Sequence, residues 1–285
     1  MATSSTPSSP DSLQPSAGEE CRSTFLIGSL PDLSAVFEDL SCQIESYPDV
    51  PSAMEGLWRK QPDLVIATYP CLLPVRMASP ESKVIVLGGN GGPERVVSAI
   101  RKQAYGFFAE PYDTCAIRDL VLQAIHEPGF DDGIRLISGD PRFLSLHLRC
   151  RISTADRLVR FLSQLRTDMP QDERNKAALA FREMLLNAIE HGGKFDPHQW
   201  VRVSRVRTDR TLVYHIQDPG EGFSRKHLEH AAVSNPENDP AKHMKARAES
   251  GLRPGGFGIL MTSKLVDEVI YNEQGNEVIL IKHFD

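Results

Sequence analysis

The chain has 285 residues, 40% hydrophobic and 25% charged, an ordinary composition for a globular protein of one or two domains. Its net charge of −6 leaves no basic footprint for nucleic acid, and no apolar run approaches the roughly 20 residues needed to span a bilayer. Five scattered cysteines with no Cys-x-x-Cys pair, and nine histidines without ligand spacing, speak against a disulfide framework or a zinc site.

Residues 1–21 are rich in Ser and Pro and read as a disordered tail. They lack the basic and apolar regions of a secretory signal, so a cytoplasmic location is expected. From residue 24 short apolar runs alternate with helical patterns. Strands are predicted over 24–28, 43–47, 63–67, 83–88 and 106–109, and helices over 33–40, 51–59, 93–102 and 114–126. Continuous apolar strands between amphipathic helices argue for a parallel sheet covered on both faces. Pro128 and Gly129 mark a boundary.

Beyond it, strands are predicted over 134–137 and 144–152, and a helix over 154–165 with Ser153 or Thr154 as its N-cap. A long helix from about residue 172 is apolar almost all round, which predicts burial. Yet Glu183 and Asn187 stand four residues apart on one face of it. Burying such groups uncompensated costs roughly 2–7 kcal/mol each, so something polar must meet them. Strands at 199–207 and 211–217, a Gly-rich loop at 218–223, a long charged segment at 223–254, a helix at 255–264 and a hairpin of 266–271 with 278–282 complete the chain.

In the first half, the spacing resembles the receiver domain of two-component response regulators. That family carries acids after its first strand, a phospho-accepting Asp after its third, a hydroxyl residue after its fourth and Lys-Pro after its fifth. Here those positions hold Gly28 and Ser29, Thr68, Gly88, and Glu110-Pro111. Phosphorylation there needs carboxylates for the metal and a carboxylate nucleophile, so residues 22–128 read as a degenerate, flavodoxin-like receiver used for docking or dimerisation.

Three blocks mark the second half. Glu183, Asn187, Ala188, His191 and Gly192 form the first, Asp218, Gly220 and Gly222 the second, and Gly256 with Gly258 at a helix start the third. Each alone is a common surface pair, turn or cap. In this order and setting they resemble the GHKL (Bergerat-fold) ATP-binding domain, and the compact size and closing run most resemble its anti-sigma-factor serine kinases. The fold expected for 134–285 is thus an α/β sandwich with a mixed or antiparallel sheet.

The resemblance implies ATP and Mg²⁺ as ligands. Asn187 would coordinate Mg²⁺, Glu183 would be the general base, and Asp218 would accept from the adenine amino group. Gly220 and Gly222 would let the backbone pass the adenine, and Gly256 and Gly258 would present N–H groups to the phosphates. Residues 223–254 would form a lid, with Arg253 reaching the γ-phosphate. His191 would cap the helix or edge the pocket and Glu190 would be a helix-surface charge, the alternative for each being contact with nucleotide or metal. The implied activity is phosphorylation of a small antagonist protein on Ser or Thr in a partner-switching pathway, with no membrane or nucleic-acid partner. A homodimer is expected by analogy. The alternative is a non-catalytic module that sequesters a sigma-like or regulatory partner, since Phe257 stands where a basic residue often separates the glycines.

Overall fold

A computed structural model describes residues 22–127, 129–130, 133–165, 169–222 and 258–284. The first sheet is parallel throughout, with β1 (Arg22–Ile27), β2 (Cys42–Tyr47), β3 (Leu64–Thr68), β4 (Lys83–Leu87) and β5 (Gly106–Phe108) in the order β2-β1-β3-β4-β5. This is the flavodoxin-like order of doubly wound folds. The apolar runs of β3 and β4 are buried because both faces are covered. Val65, Ala67, Val84 and Val86 meet α2 (Val50–Lys60), α3 (Leu72–Ala78) and α4 (Pro93–Arg101) on one face. Leu64, Ile66, Ile85 and Leu87 meet α1 (Ser34–Phe37) and α5 (Thr114–His126) on the other.

Local chemistry sets the helix starts. The Asp49 and Asp113 carboxylates accept from the backbone N–H of Ser52 and Ala116, at 2.9 and 3.0 Å, and cap α2 and α5. Helix α3 is absent from the sequence reading, because Pro70 and Pro74 look like breakers. Both prolines stand early enough, in a 3₁₀ turn and in the first turn of α3, for their missing N–H groups to cost nothing.

Packing leaves no room for receiver-type side chains at two of the strand ends. Gly28 has φ +99, in the left-handed region, and a Cβ there would lie 2.6 Å from Thr68 Oγ1. A Cβ on buried Gly88 would lie 2.0 Å from Cζ of Phe107, itself 2% exposed. Gly88→Thr is therefore expected to destabilise the protein by about 1–3 kcal/mol through overpacking, read as a lower urea midpoint with unchanged slope.

The second sheet has six strands, β6 (Ile134–Gly139), β7 (Phe143–Arg149), β8 (Trp200–Arg207), β9 (Thr211–Gln217), β10 (Glu268–Tyr271) and β11 (Glu277–His283). Their order is β10-β11-β9-β8-β7-β6, and every pairing is antiparallel. Leu144, Leu146, Leu148, Val201, Val203 and Ile216 face inward at alternate positions. Helices α6 (Ile152–Ser163), α7 (Gln171–Asn187) and α8 (Gly258–Leu265) belong to this half of the chain. The expected Ser153 or Thr154 cap is corrected: Arg151 is the N-cap residue of α6, without a side-chain hydrogen bond.

Helix α6 joins the two sheets. Its Arg157, 3% exposed, donates through Nε to the Tyr105 carbonyl at 2.9 Å and lies 4.1 Å over the Tyr105 ring. Just beyond α6, the Gln164 side-chain oxygen accepts from the Ala109 backbone N–H at 2.9 Å. Gln123 donates to the Ser153 carbonyl, and Arg160 to the Ala116 carbonyl, each at 3.2 Å. One apolar core runs from Phe25 and Val86 through Phe107 to Leu158 and Leu185. Among the described residues no helix is long and apolar enough to cross a membrane.

Candidate functional site

Helix α7 begins with Asp172 and Glu173, whose charges suit the positive helix end. Lys282 on β11 ties this end to the sheet, with Nζ 2.7 Å from Glu173 and 3.0 Å from Asp267. Ala180, Phe181, Met184 and Leu185 face the core, and the Phe181 ring stacks on Tyr214 at 4.3 Å between centroids. The helix is less uniformly buried than its composition predicts, since Leu179 is 41% exposed.

Glu183 and Asn187 are both half-buried on the face toward α8. They meet Gly258, the first residue of α8: a Cβ there would lie 3.3 Å from Glu183 Oε2 and 3.3 Å from Asn187 Nδ2. The glycine thus lets a helix N-terminus approach a carboxylate and an amide with no side chain between them.

Past Asn187 the helix widens into one π turn, Ala188–Gly192, closed by Gly193 N–H donating to the Ala188 carbonyl at 2.9 Å. Such turns are often found at functional sites. The expectation that Glu190 is a surface charge is corrected, because the wide turn carries it inward to 8% exposure. His191 is exposed, its Nε2 4.0 Å from Glu190 Oε1. Gly192 lies against the Asp218 carboxylate, so closely that a Cβ would fall 2.1 Å from Oδ1.

Asp218 follows β9. Its Oδ1 accepts from the Gly220 backbone N–H at 2.8 Å, and its own N–H donates to the Asn276 carbonyl at 3.0 Å. Burial raises the Asp218 carboxyl above its usual range, against the lowering effect of the Gly220 N–H. Gly222, at φ +82, would place a Cβ 2.0 Å from the Gln274 carbonyl oxygen. Asn272 Oδ1 accepts from the N–H groups of Gly275, Asn276 and Glu277 and closes the β10–β11 turn against this loop.

The structure brings Glu183, Asn187 and Gly258 together, and Asp218, Gly220 and Gly222 together, with the π turn joining the groups. Arg253, Gly256, Phe257 and the expected lid lie outside the described residues. The sequence reading missed the supporting roles of Asn272, Gln274 and Asn276; the Asn-x-x-Gly-Asn spacing of a turn was the available signal. It also missed Cys150, whose thiol would be 2.2 Å from a Cβ on Gly193, and which burial, with Asp196 and Asp218 nearby, pushes up to about 11.

Among the described residues no group of three or more His, Cys, Asp or Glu is disposed to hold a metal ion. The donor set instead suits a ligand that brings its own oxygens. The Asp218 carboxylate stands at one end, the start of α8 beside the Asn187 amide at the other, and the glycines let the backbone pack closely on Asp218 and Gln274.

An antiparallel sheet layered with helices defines the class of α/β sandwiches. Residues 149–282 match the family described as the histidine kinase-like ATPase domain, and this part of the chain is such a domain, with ATP binding as its attendant property. No curated protein matches the chain.

Solved structures similar to it include response regulators and their receiver domains. NtrX from Brucella abortus in complex with ADP is 22% identical over 37% of this chain and 26% of its own, at a TM-score of 0.33. The chain therefore spans about a quarter of NtrX. A response regulator from Thermotoga maritima is 14% identical over 38% of this chain and 100% of its own, at 0.35. A receiver domain protein from Clostridium thermocellum is 15% identical over 36% and 94%, at 0.33.

Proposed function

We propose that the protein is an ATP-dependent serine/threonine protein kinase of the anti-sigma-factor type, which phosphorylates a small antagonist protein in a cytoplasmic partner-switching pathway. The observation that carries this reading is the meeting of Glu183 and Asn187 at Gly258. The positive end of the helix favours a carboxylate in its ionised form, and this reading gives the half-buried Glu183 the proton of the substrate hydroxyl.

In this reading the nucleotide brings the transferable phosphoryl group, with Mg²⁺ neutralising its charge. Asn187 holds Mg²⁺ through its side-chain oxygen, and the Gly258 N–H, with Gly256 and Arg253 beyond the described residues, receives the phosphates. Asp218 accepts from the adenine amino group, while Gly220 and Gly222 leave the base its slot. Glu183 takes the proton from the substrate hydroxyl. Residues 22–128 serve as the docking unit, and 134–285 as the kinase unit.

A second reading, a non-catalytic module that sequesters its partner when ATP is bound, is favoured by Phe257, which supplies no charge between Gly256 and Gly258. Incubating the full chain with γ-labelled ATP and purified candidate antagonists separates the two. Label on Ser or Thr of a candidate is the expected result. ATP-dependent complex formation without label on any candidate overturns the kinase in favour of the module. Nucleotide binding that survives Asp218→Ala and Asn187→Ala together overturns the site itself.

A further inference from the structure

In β7, β8 and β9 buried side chains alternate with half-buried or exposed ones, so these strands turn one face to the core and the other outward. On the outward face Arg135 of β6 is paired in register with His147 of β7, and His147 with Arg202 of β8. Arg149 is paired with Trp200 beside them. Directly opposed side chains start about 4.5–5.5 Å apart, so the five form one patch. The Arg149 guanidinium lies 4.0 Å from the centre of the Trp200 ring and the Arg135 guanidinium 5.1 Å, with the His147 ring at 6.3 Å.

Burial, and then the charges of Arg202 and Arg135, hold the His147 imidazole below its ordinary range. At neutral pH it is therefore uncharged, and three guanidinium groups set the local field. Further along the same strands Ser145 faces Ser204, and Phe143 faces Val206. Phe143 and Val206 are 41% and 37% exposed. Four residues separate Val206 from Arg202, about 13 Å of strand. No Asp or Glu stands at an outward position of β6, β7 or β8, although the chain has 38 acidic residues against 32 Lys and Arg. Like charges placed opposite one another on a sheet repel, and a partner's carboxylates relieve that repulsion.

We propose that this outward face docks an acidic segment of a protein partner, whose carboxylates meet Arg135 and Arg202 and whose apolar side chains cover Trp200, Phe143 and Val206. A carboxylate matches the planar fork of a guanidinium, and an aromatic ring flanked by arginines supplies the apolar contact. A long polyanion such as nucleic acid would run past the patch onto a chain of net charge −6, whereas a short acidic segment meets only the local field. The inference holds for either reading of the nucleotide site, since it uses none of Glu183, Asn187 or Asp218.

The test uses the full chain carrying Trp58→Phe. The chain has two tryptophans, so Trp200 is then its sole indole, and Trp58 is 64% exposed and tolerates the change. Trp200 emission is followed while a blocked peptide of glutamate and phenylalanine is added. A saturable change is expected, with affinity roughly tenfold lower for the glutamine analogue of the peptide. Arg135→Glu combined with Arg202→Glu is expected to weaken the peptide by a similar factor, roughly tenfold. Both arginines are exposed, and should the pair of reversals nevertheless prevent folding, Arg202→Gln is expected to weaken binding roughly threefold. Arg59→Glu with Lys60→Glu, on α2, is expected to change affinity by less than about twofold. The absence of a saturable change up to millimolar peptide overturns the proposal. So does equal affinity for the glutamine analogue, or an equal loss in the α2 variant. Tighter binding of oligothymidylate or of phosphatidylserine vesicles at the same ionic strength overturns it in favour of nucleic acid or a membrane. A smaller particle mass in the Arg135 and Arg202 variant without peptide overturns it in favour of an interface between two copies of the chain.

Discussion

Glu183→Gln is expected to lower phosphoryl transfer to a protein hydroxyl by roughly 10²–10⁴-fold, the usual contribution of a positioned general base, while nucleotide affinity stays within about threefold. Glutamine keeps the shape that packs against Gly258, where the carboxylate lies 3.3 Å from the position of a Cβ. The amide cannot take a proton, so the loss falls on kcat and spares binding. Filter binding or calorimetry with ATP, beside transfer kinetics on one partner, reads both quantities from the same preparations. Equal losses in affinity and rate would make Glu183 a binding or structural group and would remove it from the chemistry.

Asp218→Asn is expected to act in opposite directions on binding and on stability. Its carboxylate is the proposed acceptor for the adenine amino group, and a hydrogen bond to a charged group contributes about 1.5–3 kcal/mol, so ATP affinity should fall roughly 10- to 100-fold. The apo protein should not lose stability with it. Burial raises the folded-state carboxyl above its unfolded value of 3.8. Between those two values the folded state holds more proton than the unfolded state, so stability falls as pH rises through that window, and the deficit persists at neutral pH. Asparagine has no such ionisation and can still accept from the Gly220 N–H. Its apo Tm at pH 7 should therefore equal or exceed that of the wild type, and the gain should vanish below about pH 4. A lower Tm together with weaker binding would mean that Asp218 holds the loop and does not read the base.

The long helix was legible because its polar pair contradicts its apolar composition, and the contradiction survives folding: Glu183 and Asn187 are half-buried while Met184 and Leu185 beside them are buried. The parallel sheet was legible for a related reason, since runs such as 64–67 and 84–87 contain no polar break. Other features leave little trace in a linear pattern. The π turn after Asn187 is a choice of i→i+5 over i→i+4 bonding, made by the packing of Gly192 on Asp218, and it moved Glu190 from an expected surface position into the interior. Nothing in the linear pattern of 199–207 marks Arg205 as an interior residue. Only the register of β8 against β7 and β9 puts it on the inner face. Helix α3 was hidden by prolines whose position within the first turn decides whether they break a helix or start one.

Helix α6 has a bearing on how such a chain can be remodelled. Arg157 is buried among groups of the first sheet, and the Gln164 amide completes the backbone of Ala109 just beyond its last strand. A foreign receiver grafted in place of the first half would keep the parallel order of strands yet leave that guanidinium without the Tyr105 carbonyl and ring. Exchange of sensory heads by recombination, which works for beads on a flexible string, would here produce chimeras that unfold at the seam. The compatible replacements are those that carry their own carbonyl and aromatic ring to the same place.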